Sequence, residues 1–298
     1  MTPVFAHITV PVDGSATAQR GVDFALELAA GGGTVTFCSI VDPTVLSIPA
    51  AEGAALDFGP LLTVLDEDAA FFCNQAASLA AAAGIVALTC VVHGERVPAL
   101  LSACRAGGSD AIVIGTHGRT GVERALLGSM AEGLLRGSDV PVVVTHEDDE
   151  SRTGPVLVAI DRSPAAQAAL EEAVLIACAR GDAVLLVHVS EDANPPGDAA
   201  YATLERAAVY ARAHGLSVSL VERRGNPAEQ IVRAADEAES CMIVMGTHGR
   251  TLIPGLLLGS VAAAVVERAR IPVATIRRSG RAHREPRVSA PPRSETVA

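Results

Sequence analysis

Two glycine-rich stretches carry the residues of this sequence best suited to chemistry. The first runs Gly115-x2-Gly118-x9-Gly128-Ser129 and the second Gly246-x2-Gly249-x9-Gly259-Ser260. Each follows an aliphatic run and leads into a helix-forming one. A glycine at the carboxyl end of a strand lets the backbone approach a ligand where a Cβ would clash. The closing Gly-Ser opens a helix, so free N–H groups, the positive end of the helix dipole and a hydroxyl converge on one spot. That is the chemistry of an anion site. Arg119 and Arg250 directly follow the second glycine, and each could add charge-assisted bonds worth about 1.5–3 kcal/mol. The plainer reading is that the glycines make turns and that Ser129 and Ser260 merely cap helices. Two copies in one context favour the anion site, although a duplication would copy an idle loop too.

Other chemically able residues are less informative. Asp13 in VPVDGS and Asp161 in VAIDRS each end an aliphatic run, and either a helix N-cap or a ligand contact suits them. His117 and His248 lie inside the glycine loops, where either could approach phosphate, but without a carboxylate partner or metal-ligand spacing they read as loop surface residues. The other histidines, His188 included, read as packed or solvated. The six cysteines form no CxxC pair and no metal-binding pattern, and read as free thiols buried as small hydrophobes. All 23 basic residues are Arg. Without Lys, the usual P-loop NTPase arrangement and Schiff-base chemistry are excluded. No carboxylate is placed to activate water beside the loops, so binding is better supported than hydrolysis.

The elements that would position these residues occur twice. IVIGTHGRT at 112–120 returns as IVMGTHGRT at 243–251, and LLGS at 126–129 returns at 257–260, both at an offset of 131. HITVPVDGS at 7–15 answers PVLVAIDRS at 155–163 at an offset of 148, so the first half carries 17 extra residues between these landmarks. They fall in the Pro- and Gly-rich stretch Asp42–Pro60, which reads as a loop. Strand and helix patterns alternate in each half, implying a parallel sheet with right-handed crossovers. Pro98 and Pro227 suit the first position of a helix, where a missing N–H costs nothing. The charged, breaker-rich HEDDESRTG at 146–154 reads as a linker, and residues 279–298 read as a disordered tail. The expected division is 1–146, linker 147–153, 154–278 and tail 279–298.

Composition agrees with this layout. Hydrophobic residues make up 49 % of the 298 and aromatics only 3 %, which suits aliphatic strands covered on both faces. A net charge of −11 argues against wrapping a nucleic acid backbone. The apolar runs fall short of the ~18 residues of a membrane helix, and no N-terminal targeting pattern stands out. The expectation is a cytoplasmic protein that binds neither membrane nor nucleic acid.

Gly-x2-Gly-x9-Gly-(Ser/Thr), present here twice, resembles the signature of ATP-binding universal stress proteins. The resemblance covers about 1–146 and 154–278. It implies two tandem Rossmann-like α/β units of the adenine nucleotide alpha hydrolase type, each an open five-stranded parallel sheet in the order 3-2-1-4-5. Nucleotide would lie at the carboxyl ends of the strands near the switch point. The resemblance places Val12, Asp13, Ile40 and Val41 at the nucleoside end of the first site, with phosphates at Gly115, Gly118, Arg119, Gly128, Ser129 and Met130. In the second it places Ile160, Asp161 and Val189, then Gly246, Gly249, Arg250, Gly259, Ser260 and Val261. It implies ATP, alone or with Mg2+, a regulatory role with at most slow hydrolysis, and a homodimer of tandem chains. The last strands, Val142–Thr145 and Val273–Ile276, would face each other. A hydrolase using Arg119 or Arg250, and a nucleotide-free dimerisation module, are the alternatives. The Asp42–Pro60 insertion would act as a lid on the first site or as a passive loop.

Overall fold

The computed structural model describes residues 3–46, 59–116, 127–149, 151–190, 198–249 and 258–277. The first half contains β1 (His7–Pro11), α1 (Ala16–Ala29), β2 (Thr34–Val41), α2 (Gly59–Ala82), β3 (Val86–His93), α3 (Arg96–Gly107), β4 (Ala111–Gly115), α4 (Ser129–Gly137) and β5 (Val142–Thr145). The second repeats the alternation with β6 (Val156–Ala159), α5 (Pro164–Arg180), β7 (Val184–Ser190), α6 (Asp198–Ala213), β8 (Val218–Arg224), α7 (Pro227–Glu237), β9 (Met242–Gly246), α8 (Ser260–Arg268) and β10 (Val273–Ile276).

The strands form one ten-stranded sheet in the order β3-β2-β1-β4-β5-β10-β9-β6-β7-β8. Each half is therefore parallel within itself and follows the order 3-2-1-4-5. The single antiparallel junction pairs β5 with β10, Val143 opposite Ala274. Central strands such as β4 are buried along their whole length, which is why they read as unbroken aliphatic runs rather than alternating ones. One core layer packs α1, α2, α5 and α6 on one face, and a second packs α3, α4, α7 and α8 on the other. Both layers run through the junction, so the halves share their cores.

Helix starts are specified locally. Ser15 and Ser163 cap α1 and α5, their hydroxyls accepting from Ala18 N at 3.2 Å and Ala166 N at 3.1 Å. These serines hold the cap positions for which Asp13 and Asp161 were the alternative reading. Each Asp instead accepts from the N–H of the capping serine two residues on, at 3.0 and 2.8 Å. Asn226 caps α7 by accepting from Glu229 N at 3.2 Å, with Pro227 at the first position. Pro98 does not open α3: the helix begins at Arg96, leaving Pro98 third, still within the turn whose N–H groups lack partners. Asn226→Ala is expected to lower stability by about 1 kcal/mol, typical of a lost cap, read as an unchanged slope and a lower midpoint in urea unfolding.

The junction between the halves is packed rather than loose. Asp149, inside the expected linker, is 8 % exposed, and its carboxylate accepts the His146 N–H at 2.8 Å. Arg20 of α1 donates to the Asp149 carbonyl. His146 Nε2 donates to the Val266 carbonyl of α8 at 2.8 Å, and Arg180 of α5 lies 3.5 Å from Glu27 of α1. The expected Asp42–Pro60 loop begins with a 3-10 turn at Pro43–Leu46 and ends where α2 starts at Gly59. Residues 47–58, and the expected tail at 279–298, lie outside the described residues.

Candidate functional site

The carboxyl ends of β6, β7 and β9 and the amino ends of α7 and α8 enclose a cavity of about 330 Å3. Its place is the switch point of the second half, where β6 has β7 on one side and β9 on the other. Ile160, Asp161, Val189, Gly246, Gly249, Gly259, Ser260 and Val261 all line it. Residues from three separate stretches of the sequence thus meet at one cavity. Arg250 lies outside the described residues, as do Gly118 and Arg119 of the first half.

Backbone bonds explain the spacing of the loop. Thr247 N–H extends the β9–β10 ladder by donating to the Ile276 carbonyl at 3.0 Å, and its own carbonyl accepts from Gly259 N at 2.8 Å. The segment between them is closed at its neck, delivering Gly259-Ser260 back to the strand end it left. The first half repeats this: Thr116 N donates to Thr145 O at 2.9 Å, and Gly128 N to Thr116 O at 2.8 Å. Gly128 and Gly259 are the N-caps of α4 and α8, and neither helix has a side-chain cap bond. Ser129 and Ser260 occupy the first helical turn instead of the cap. Helices α1, α5 and α7 are capped by side chains, whereas α3 and the two helices that follow the glycine loops are not. Such termini are suited to an anion.

The first glycine of each motif has a different duty from the one its position suggests. A Cβ on Gly115 would lie 2.5 Å from the Thr17 carbonyl oxygen, and one on Gly246 would lie 2.7 Å from Ala165 Cβ. Each glycine is required because the first turn of α1 or α5 crosses the strand end there. Gly246 lines the cavity as well. Gly249, by contrast, backs onto the candidate site, since a Cβ there would come within 3.2 Å of Asp161 Oδ2.

Several lining residues were not singled out by the sequence. His248 was read as a loop surface residue, but it is half-buried and lines the cavity. Its carbonyl accepts from the Ser163 hydroxyl at 3.4 Å, and its Nδ1 lies 3.0 Å from the Thr247 hydroxyl. The loop is thereby tied to the cap of α5. His188 also borders the cavity, its Nδ1 donating to the Ile160 carbonyl at 2.7 Å. Pro227 and Ile231 supply an apolar wall from α7. Their helix is remote in sequence from the glycine loop, so only their duplication against α3 could have drawn attention to them.

The first half has the same frame. Val12 N donates to Cys38 O at 2.9 Å, as Ile160 N does to Val187 O at 2.8 Å. Asp13, Ile40, Gly115, Gly128, Ser129 and Met130 therefore hold the positions of Asp161, Val189, Gly246, Gly259, Ser260 and Val261. Val41 falls one residue beyond Ile40: its carbonyl accepts from Gly94 N at 3.0 Å, matching Ser190 and Gly225 in the second half. Ser190 is not among the cavity-lining residues, and Val41 is the expected residue that the frame separates from the rest. Among the described residues no cluster of three or more His, Cys, Asp or Glu could hold a metal, and no helix is long and apolar enough to cross a membrane.

Comparison with known proteins agrees with this architecture. A sequence profile described as the Universal stress protein family matches residues 5–146 and 153–277. A universal stress protein of Mycolicibacterium smegmatis is 30 % identical over 291 residues, covering 91 % of this chain and 96 % of that protein. One from Mycobacterium tuberculosis is 35 % identical over 187 residues, a match that takes in 57 % of this chain and 63 % of that relative's length. The crystal structure of a universal stress protein from Archaeoglobus fulgidus superposes with a TM-score of 0.74 at 24 % identity, covering 93 % of this chain and 97 % of the other, which speaks for the fold. With both halves matched by one profile, the chain belongs to the universal stress protein family as a tandem member.

Proposed function

We propose that each half binds one adenine nucleotide, ATP with or without Mg2+, and that occupancy regulates the protein rather than feeding rapid turnover. The carrying observation is the second-half cavity, where the uncapped start of α8 and the Asp161 carboxylate border one space. Its volume of about 330 Å3 falls in the range of roughly 300–1,000 Å3 common for small-molecule sites. In this reading the triphosphate rests on the N–H groups of Ser260 and Val261 beside the Gly259 cap, with Gly249 and Arg250 as further phosphate contacts. The nucleoside extends toward Asp161, Ile160 and Val189. The first site uses Gly118, Arg119, Gly128, Ser129 and Met130 for phosphate, and Val12, Asp13 and Ile40 for the nucleoside. Gly115 and Gly246 contribute by setting the strand–helix crossing.

In this reading Asp13 and Asp161 serve the nucleoside, and no other carboxylate is among the residues lining the second-half cavity. Regulation is accordingly favoured over hydrolysis. We take the acting species to be a cytoplasmic homodimer that does not bind nucleic acid, in keeping with its net charge of −11.

Equilibrium unfolding with and without Mg-ATP tests the reading. Ligand at 100 times its dissociation constant should add about 2.7 kcal/mol for each independent site in the cooperative unit. GTP at the same concentration should add much less. No stabilisation by any nucleotide would favour the dimerisation module. Rapid turnover lost in Arg119→Ala and Arg250→Ala variants that still bind would favour the hydrolase.

A further inference from the structure

Four of the six cysteines belong to the first half, and two of them are placed to react with each other. Cys38 on β2 and Cys90 on β3 are register partners in a parallel pair, so their side chains leave the same face of the sheet. Both pack in the core layer that contains α3, Cys38 fully buried and Cys90 half-buried on the edge strand. Burial and, after it, the neighbouring Cys90 thiol push the Cys38 thiol pKa up. Neighbouring strands lie about 4.8 Å apart, within the Cα separation of roughly 4.4–6.8 Å that a disulfide spans.

The remaining two thiols are held elsewhere. Cys104 lies on α3, buried in the same core layer. Cys73 lies in the opposite core layer and donates to the Cys90 carbonyl at 3.5 Å. The repeat shows that the fold itself does not need these thiols. Because Cys38 O and Val187 O accept equivalent bonds, Cys38 stands where the second half has Val187. Val187 pairs with Val221, so Cys90 stands at the position of Val221. Two valines serve where the first half has two cysteines.

We propose that Cys38 and Cys90 form a redox site that a peroxide converts to a disulfide, in the first half alone. Cys90, reachable on the edge strand, is the attacking thiolate. Its sulfur bonds to one peroxide oxygen, the O–O bond breaks, and the departing hydroxide takes up a proton as water. The Cys38 sulfur then attacks the resulting sulfenic acid. An S–S bond forms, the S–O bond breaks, and the Cys38 proton leaves with the hydroxyl as a second water. Two thiols lose two electrons and two protons, and the peroxide is reduced to two waters. Burial raises the Cys38 thiol pKa, which disfavours Cys38 as the thiol that meets the peroxide first. Val187 lines the second-half cavity, so the corresponding bond would form at the floor of the first-half site.

The test uses the full chain carrying Cys178→Ser, which removes the exposed cysteine and with it intermolecular cross-linking. Protein treated with hydrogen peroxide is alkylated in denaturant and mapped by mass spectrometry. The expected result is two fewer alkylated thiols and a reducible cross-link between the Cys38 and Cys90 peptides. Cys38→Val and Cys90→Val, each a residue the second half already accepts, should fold and show no cross-link. Sulfenic acid should then persist on Cys90 in the Cys38→Val protein, trapped by dimedone. No thiol loss, a cross-link to Cys73, Cys104 or Cys241, or sulfinate on Cys90 with Cys38 still free would overturn the proposal. None of these readouts depends on nucleotide binding.

Discussion

Gly259→Asp is expected to leave the protein folded while weakening nucleotide binding in the second half by at least ~100-fold, the equivalent of about 2.7 kcal/mol. Gly259 has φ −73° and ψ 149°, extended backbone that any residue adopts, so no conformational strain follows. Aspartate is a favoured N-cap and would accept from the free N–H groups of the first turn. Those are the groups proposed to hold the phosphates, and the new carboxylate would both occupy them and repel the ligand. A Cβ there would lie 3.0 Å from the Thr247 carbonyl oxygen, close enough to offset part of the capping gain. Net stability should therefore stay within about 1 kcal/mol of the parent. Titration calorimetry should show binding stoichiometry falling from two to one, with the untouched first half as an internal control. Unchanged affinity and stoichiometry would falsify the assignment of phosphates to α8.

Gly115→Val should destabilise the protein by about 3 kcal/mol, at the upper end of overpacking effects. The new Cβ would meet the Thr17 carbonyl oxygen at 2.5 Å and its carbon at 2.6 Å. These atoms belong to the first turn of α1, so relief requires moving a helix rather than turning a side chain. Gly21, one turn further along α1, faces the same strand end, but its Cβ would find nothing nearer than 3.6 Å. Gly21→Ala should thus gain roughly 0.5–1 kcal/mol from helix propensity. Opposite signs from two glycines at one crossing can be read by thermal unfolding, with Gly115→Val melting roughly 6–12 °C lower. Equal effects would mean that the crossing is looser than the distances indicate.

Much of the architecture was legible in the amino-acid order because the relevant signals are local. Unbroken aliphatic runs such as Ala111–Ile114 mark strands covered on both faces. Asn226-Pro227 marks a helix start because side-chain capping and a missing N–H act within one turn. The repeat disclosed duplication without any knowledge of distances, and the closing Gly-Ser signalled a helix opening beside a strand end. Pro98 was placed two positions early because the turn before it, Glu95-Arg96-Val97, carries no side-chain cap and so no sequence mark.

Other properties depend on atoms that only the fold brings together. His248 looked like a surface residue because nothing in the chain announces that Ser163, 85 residues away, will hold its carbonyl. Gly115 carried an ambiguous signal, since a glycine required by a ligand and one required by a crossing helix are the same letter. The neighbour that decides between them, Thr17, is remote in sequence. The cysteines read as inert fillers for the same reason: the register of β2 against β3 places Cys38 beside Cys90. By itself the sequence determined two copies of an α/β unit, each with a glycine loop leading into a helix, because those features follow from short-range periodicity and turn chemistry. The tertiary structure alone decided that the copies share one sheet through β5 and β10, that Asp161 and the start of α8 border one cavity, and that Cys38 and Cys90 of the first half are cross-strand neighbours. Each of those is a contact between distant segments, set by packing rather than by local preference.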